Sequence, residues 1–337
     1  MNIAVVIPCF RVVEHVLSVI AHVGPEVARI YAVDDACPDG SGAYIRQHVT
    51  DPRVTVIERE ENGGVGAATL TGYKAALEGG ADVIVKIDGD GQMDPSLIPQ
   101  FVQPICIGLA DYTKGNRFFD LEGLGRMPGV RVIGNAALSF ASKFSTGYWG
   151  TFDPTNGFTA IHATVANRLP LEKVSRRYFF ETDMLFRLNT IRAVVLDVPM
   201  EAVYGNEVSQ LKISKIMPEF VSKHFTNFVK RLFYNYFLRD MSIASFELLG
   251  GIALLLFGVL FGALAWIRSA QHHEVASSGT VMLAALPVMV GIQLLLAFLN
   301  FDIAAVPRIP IQLVLSRIPG GVSQPIGTGH STERLAQ

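Results

Sequence analysis

The chain is poor in charge and in cysteine. Only 17% of its 337 residues are Asp, Glu, Lys or Arg, and 28 basic against 30 acidic side chains leave a net charge of −2. That balance excludes a generally basic nucleic-acid binder and an acidic disordered chain. The three cysteines, Cys9, Cys37 and Cys106, are odd in number and lack metal-ligand spacing. They argue against a disulfide framework or a zinc ribbon and fit reduced intracellular thiols. No basic stretch precedes the short apolar run at residues 3–8, so it reads as a first β-strand rather than a secretory signal. Apolar residues, in contrast, make up half the chain, and the length sets an expectation of about two structural units.

The apolar content is concentrated near the C-terminus. Residues 248–267 and 279–301 carry no charge over 20 and 23 positions. At about 1.5 Å per residue each run spans roughly the 30 Å of a bilayer core. Two such runs side by side predict a transmembrane hairpin rather than buried helices, and Pro287 in the second is tolerated there. Lys230, Arg231 and Arg239 precede the first run, and Arg308 and Arg317 follow the second. The connecting loop, 271–278, has only Arg268 near it. This asymmetry predicts two spans with both outer ends cytoplasmic. Upstream, Met217, Phe220, Val221, Phe225, Phe228, Leu232 and Tyr236 have helical spacing, with Lys215, Lys223, Lys230 and Arg231 among them. Their position before a span favours a helix lying on anionic lipid over a core helix. Residues 225–237 are also apolar enough to join copies into a homo-oligomer. The expected division is a cytoplasmic domain at 1–211, juxtamembrane helices at 212–244, two spans within 245–303 and a cytoplasmic tail at 304–337. The tail's end, 320–337, has a disordered composition.

The first 115 residues alternate apolar runs with helical patterns. Strands are expected at 3–7, 29–33, 54–57 and 83–87, and helices at 12–23, 40–49 and 65–77. Such alternation predicts an α/β unit with a mainly parallel, Rossmann-like sheet and helices on both faces. Ligands of such sheets sit beyond the carboxyl ends of the strands. Those ends are acidic here: Asp34-Asp35 with Asp39 after the second strand, and Asp88-Gly89-Asp90-Gly91-Gln92 after the fourth. Two carboxylates at i and i+2 repel each other and do not support a strand. They suit a hard divalent cation, Mg²⁺ or Mn²⁺, that keeps places open for a substrate diphosphate. A solvated turn would explain one Asp-Gly pair, but not a match between two acidic strand ends. The segment Gly64-Val65-Gly66-Ala67-Ala68-Thr69 imitates a dinucleotide fingerprint. It carries Thr69 at the third glycine position and follows the third strand instead of the first.

In order, Val5-Val6-Ile7-Pro8, Val33-Asp34-Asp35, Asn62-x-Gly64-x-Gly66-Ala67-Ala68 and Asp88-x-Asp90-x-Gln92 resemble family 2 glycosyltransferases of the GT-A fold. Within them the chain is similar to the dolichol-phosphate mannose synthase and polyprenyl-phosphate glycosyltransferase group, whose bacterial members often carry a C-terminal membrane hairpin. The motifs cover residues 3–215. The resemblance implies that Pro8, Asp35 and Asp39 line a nucleotide pocket for a UDP- or GDP-sugar. It implies that Asp88 and Asp90, with Gln92, hold the metal and donor diphosphate, and that Arg117 stands near the donor phosphates. Arg126, Arg131 and Asn135 would receive a polyprenyl phosphate acceptor, and Asp153 would line the sugar and acceptor site. Ala36-Cys37-Pro38 stands where the family has Gly-Ser-Thr, Arg11 replaces the usual Asn-Glu after the first strand, and Val65 replaces a frequent Lys. The late Arg-x-x-Gly-x-Ser-Lys block survives only in residues 204–212.

The expected activity is inverting sugar transfer. A sugar hydroxyl acceptor has a very high pKa and needs a general base, for which Asp153 is the candidate. A phosphate monoester, with a second pKa near ~6, is largely dianionic at neutral pH and needs only cations to hold it. Arg126, Arg131 and Lys143 supply such cations, within a segment whose Gly123, Gly125, Pro128 and Gly129 predict a closing loop. Two alternatives remain: transfer to a glycolipid or polysaccharide hydroxyl, and a non-catalytic nucleotide-binding scaffold. The first would want a Gln-x-x-Arg-Trp block where the chain has Met184-Leu185-Phe186-Arg187. The second would tolerate loss of the Asp pair, which is retained. His162, His224, His272 and His273 read as ordinary residues.

Overall fold

Strand β1 (Ile3–Cys9) is buried along its whole length, as its unbroken apolar run requires of a strand covered on both faces. The computed structural model of the protein describes residues 1–119, 129–201 and 213–316. β1 lies parallel between β2 (Val27–Asp34) and β4 (Val83–Lys86), with Val5 opposite Ile30 on one side and Val85 on the other. β3 (Val54–Glu58) extends this sheet beyond β2. Beyond β4 come β6 (Thr159–His162), β5 (Tyr112–Asn116) and β7 (Val195–Pro199), giving the order β3-β2-β1-β4-β6-β5-β7. β6 runs antiparallel to both neighbours, β4 and β5. The sheet is therefore mainly parallel, as expected. Its last three strands escaped the pattern reading because they are short, and because β5 carries Lys114, Gly115 and Asn116.

Helices α1 (Val16–Ala21), α2 (Ser41–His48), α3 (Val65–Glu78) and α4 (Ile98–Cys106) follow β1 to β4 in turn. α1 is shorter than the expected 12–23 because His15 N–H and Val16 N–H both donate to Val12 O, a turn that precedes the helix proper. Ile7, Val16, Ile30, Val85, Phe101 and Phe158 belong to one continuous core, in which the Phe101 and Phe158 rings stack at 3.9 Å. The remaining helices before β7 are α5 (Gly129–Thr146), α6 (Ala163–Ala166) and α7 (Phe180–Thr190).

The chain forms two compact units: Met1–Ser139, Thr151–Leu211 and Pro307–Gln337 make the first, and Phe140–Gly150 with Lys212–Val306 make the second. Residues 140–150, inside the expected 1–211 domain, belong to the second unit. The described part of the expected tail is also held: α11 (Ile311–Ser316) joins the first unit. Buried Asp111 captures the start of α11, accepting Ile311 N–H at 2.8 Å and Gln312 N–H at 2.9 Å. Residues 320–337 lie outside the described residues.

In the second unit, α9 (Ile243–His272) and α10 (Ser278–Ala304) enclose the two expected spans and are long and apolar enough to cross a membrane. α10 continues through Pro287. α8 (Ile213–Phe233) leads to a π-helical stretch, Tyr234–Arg239. The apolar residues expected on its single face divide. Met217, Val221 and Phe225 are exposed, whereas Phe220, Phe228 and Leu232 are partly buried and Tyr236 is fully buried. Arg231, counted with the lipid-facing cations in the sequence reading, is buried instead. It pairs with Asp302 through two hydrogen bonds of 2.6 and 3.0 Å, and Tyr236 Oη and Trp149 Nε1 complete the carboxylate's shell at 2.6 and 2.9 Å.

Candidate active site

The carboxyl ends of β1, β2, β4 and β5 share one edge of the sheet. Because β6 is antiparallel, the segment entering it, 153–158, arrives at the same edge. The chain reverses its order across the sheet at β1, where ligands of open α/β sheets bind. One topological rule thus gathers Pro8, Asp35, Asp39, Asp88, Asp90, Arg117 and Asp153 on one edge.

Asp35, just past β2, is buried and organises the glycine turn. Its Oδ2 accepts Gly64 N–H at 2.7 Å, and its Oδ1 accepts Gly63 N–H at 3.1 Å and pairs with Arg59. Gly64 has φ +90° and lies against Arg176 O, so only glycine serves there. Pro8 is buried opposite Val33. Asp39 is exposed, 3.9 Å from Arg11. Ala36 has φ +51°, the left-handed conformation for which the family pattern carries glycine. Cys37 N–H donates to Asp34 Oδ1 at 2.7 Å, and Cys37 Sγ accepts Arg11 N–H at 3.1 Å. Partial burial opposes the thiolate, but the Ser41 hydroxyl and the backbone N–H groups of Arg11, Ser41 and Asp39 outweigh it and lower the Cys37 pKa.

Asp88 is half-buried and gripped from below. Lys86, the last residue of β4 and two residues before Asp88, is completely buried. Its ammonium donates to Asp88 Oδ1 at 2.8 Å, Glu181 Oε1 at 3.0 Å and Gly157 O at 3.2 Å. Burial disfavours the ammonium, but the Asp88 and Glu181 carboxylates outweigh it and raise the Lys86 pKa. Burial raises that of Glu181, with Lys86 opposing. A Cβ on Gly157 would collide with Asp88 Oδ2 and come within 2.7 Å of Lys86 Nζ, so any other residue here would force these two side-chain ends to shift. Asp90 follows, its Oδ1 accepting Gln92 N–H at 3.0 Å.

Asp153 and Arg117 form a second cluster. Asp153 is buried with φ +52°. Arg117 Nε donates to its Oδ2 at 2.7 Å and Nη2 to its Oδ1 at 2.8 Å, a bidentate fork joined by Asn156 Nδ2 at 3.1 Å. Burial works against the Asp153 charge, but Arg117, with Lys114, prevails and lowers the pKa below the usual carboxylate range. Asp197 anchors the surrounding backbone by accepting from Lys114 Nζ at 3.2 Å, Asn116 Nδ2 at 3.0 Å and Phe152 N–H at 2.8 Å. Its own pKa is raised by burial, with Lys114 opposing.

Of the three expected acceptor-phosphate residues, Arg126 lies outside the described residues. Arg131 and Asn135 fall one turn apart on α5; Asn135 is half-buried, and the Arg131 side chain is not among those described. Residues 204–212 also lie outside the described residues. Sequence reading missed Lys86 and Glu181. Lys86 was detectable as a lone cation in an apolar strand, and Glu181 as an acid in the first turn of α7, directly after Phe179 and Phe180. Their meeting across 95 residues was not.

A charged buried lysine, two carboxylates and a glycine that makes room for them are a costly construction for structure alone. Among the described residues, no three acidic, histidine or cysteine side chains cluster in metal-binding geometry. Asp88 and Asp90 are nonetheless a sufficient donor pair for Mg²⁺ or Mn²⁺, which is commonly held by one or two carboxylates plus substrate phosphates.

The glycosyl transferase family 2 profile matches residues 4–169. The polyprenol monophosphomannose synthase of Mycolicibacterium smegmatis is 31% identical over 202 residues, which are 58% of this chain and 75% of that protein. The UDP-N-acetylglucosamine–dolichyl-phosphate N-acetylglucosaminyltransferase of Methanococcus voltae is 32% identical over 165 residues, 49% of this chain and 65% of that protein. Among solved structures, glucosyl-3-phosphoglycerate synthase of Mycobacterium tuberculosis, in complex with Mn²⁺, UDP and glucosyl-3-phosphoglycerate, shares the fold. Its TM-score is 0.51 at 18% identity, over 68% of this chain and 79% of that one.

Proposed function

The chain belongs to glycosyl transferase family 2, and from that premise we propose that it transfers a sugar from a nucleotide diphosphate sugar to a polyprenyl phosphate at a membrane. The observation that carries the acceptor is the Arg117–Asp153 pair. Asp153 is the carboxylate expected to act as base toward a hydroxyl, yet it is buried, held in a bidentate fork and depressed in pKa. Such a group is a poor proton acceptor. A phosphate acceptor needs none, because its dianion is already the nucleophile. The membrane-length helices α9 and α10 give a reason for a lipid acceptor, and the named relatives act on dolichyl and polyprenol substrates.

In the proposed reaction an acceptor phosphate oxygen attacks the anomeric carbon from the face opposite the nucleotide. The bond to the donor's β-phosphate oxygen breaks, and the nucleoside diphosphate leaves with inverted configuration at the sugar. Asp88 and Asp90, with Gln92, would hold a divalent cation; when bound it supplies charge neutralisation for the departing diphosphate. Lys86 and Glu181 fix Asp88. Asp153 holds the Arg117 guanidinium at the same edge, where it can face developing phosphate charge without reorganising. Asp35 orders the Gly63–Gly64 turn as one wall of the nucleotide pocket, with Pro8 and Asp39 beside it. Arg126, Arg131 and Asn135 would receive the acceptor phosphate.

The same reading makes α9 and α10 a two-span hairpin with the transferase unit on the cytoplasmic side. It lays the exposed stripe Met217, Val221, Phe225, Val229 and Phe233 of α8 on the lipid interface.

The test is a transfer assay on the full-length protein in detergent. It offers labelled UDP- and GDP-sugars, polyprenyl phosphate and Mn²⁺ or Mg²⁺, with a chelator control and Asp90→Asn beside wild type. The expected result is metal-dependent label in the lipid phase that the variant loses, and the productive donor names the sugar. Donor binding or hydrolysis without lipid labelling would overturn the phosphate acceptor in favour of a hydroxyl one. Absence of donor binding by folded protein would leave a scaffold.

A further inference from the structure

Lys86 presents a physical problem that the transferase reading does not resolve. A cation placed 2.8 Å from Asp88 should weaken the carboxylate's attraction for any other cation. If Asp88 serves a metal and a diphosphate, a buried ammonium in direct contact opposes that service. The side chain is wholly inaccessible, so water cannot screen it. Its three ammonium hydrogens are all committed, to Asp88, Glu181 and Gly157 O. Nor is Glu181 idle: it is buried on α7, reaching Lys86 from an element 95 residues away in sequence.

We infer that Glu181 is a positioning residue that offsets the charge of Lys86, so that Lys86 can fix the orientation of Asp88 without neutralising it. The three side chains then carry one net negative charge at Asp88, with Lys86 as a shared tie between β4, the entry to β6 and α7. Lys86 supplies geometry and Glu181 restores charge. Gly157 is the third part of the device, because a side chain there would displace both Lys86 Nζ and Asp88 Oδ2. This inference rests on the reading of Asp88 as a cation and diphosphate ligand.

The test measures Mn²⁺ binding directly, by loss of the free-ion electron paramagnetic resonance signal, on the full-length protein in detergent with UDP present. Glu181→Gln preserves the size of the side chain and a hydrogen-bonding oxygen but removes the compensating charge. It should raise the Mn²⁺ dissociation constant about tenfold or more, as expected for one uncompensated charge a few ångströms from the site. The double variant Lys86→Met with Glu181→Gln removes cation and compensator together. It should recover affinity to within about threefold of wild type, the remaining shortfall being the orientation that Lys86 gives Asp88, whereas a purely structural role for Glu181 predicts no recovery. Should Glu181→Gln fail to fold, the double variant against wild type decides, since it contains the same loss at Glu181. Wild-type affinity in Glu181→Gln, or a double variant as weak as the single, overturns the inference while leaving the transferase reading intact. Failure of wild type itself to bind Mn²⁺ with UDP would remove the metal reading, and this inference with it.

Discussion

Replacing Asp153 by Asn separates a base from a positioning group. The substitution is clean, because φ at residue 153 is +52° and Asn tolerates the left-handed region nearly as well as Asp. The amide keeps one acceptor oxygen for Arg117 but turns donors toward the rest of the fork and leaves the guanidinium without its counter-charge. Breaking a buried pair from one side costs about 3–5 kcal/mol. The Arg117 side chain is 22% exposed, so water recovers part of that, and a loss of about 2–3 kcal/mol is expected. For a unit of this size that corresponds to a fall of roughly 5–10 °C in melting temperature. The pH dependence has a fixed sign. The folded-state pKa of Asp153 lies below its unfolded value of about 3.9. The stabilisation is therefore fully present well above that value and is lost as pH falls through the folded one. The gap between wild type and variant should be constant from about pH 6 to 8 and should close below about pH 4. In the transfer assay, a misplaced Arg117 should raise the donor KM and lower turnover by about tenfold, whereas removing a general base costs roughly 10²–10⁴ in kcat. Wild-type stability combined with a loss beyond a hundredfold in kcat would refute the reasoning and make Asp153 the base.

Other consequences of the geometry can be measured separately. Asp302→Ala leaves Arg231 buried without its carboxylate and should cost about 3–5 kcal/mol in thermal or denaturant unfolding in detergent. Pairing Arg231→Met with Asp302→Leu should recover most of that loss, and a double variant no better than the single would sink the account. Gly157→Ala should lower donor and Mn²⁺ affinity by at least about tenfold, with far-ultraviolet circular dichroism unchanged, because its Cβ intrudes between Lys86 and Asp88. Equal affinity would show that the cluster yields freely. Asp111→Asn weakens the capture of α11, whose first two free N–H groups it accepts. Limited proteolysis should then cut within residues 305–316 faster than in wild type, and an unchanged rate would count against a holding role for Asp111.

Much of the catalytic half was legible because its signals are local. Runs of Val and Ile long enough for a buried strand, followed by helical spacing, placed β1 to β4 and α2 and α3 to within a few residues. Asp88 and Asp90 could be suspected because two carboxylates at i and i+2 after an apolar strand repel each other and do not support the strand. The two long apolar helices were evident from length and lack of charge. The illegible part is of another kind. β5 hides its strand character because its polar residues satisfy one another in the folded state: Lys114 and Asn116 both reach Asp197. β6 reads as nothing in particular until its antiparallel insertion between β4 and β5 is known.

The sequence by itself therefore determined β1 to β4, the helices α2 and α3 between them and the two long apolar helices, because backbone period and lack of charge are written in neighbouring residues. The tertiary structure alone decided which charges are spent and which are available. Arg231 reads as a lipid-facing cation until Asp302, 71 residues on, takes it into the interior. Asp153 has no visible partner in its neighbourhood of the sequence until Arg117, 36 residues before it, closes on it. Lys86 has no evident role until Glu181 meets it. The energy of a charged group is set by what lies within a few ångströms of it and by whether water can reach it, and neither quantity exists until the chain has folded.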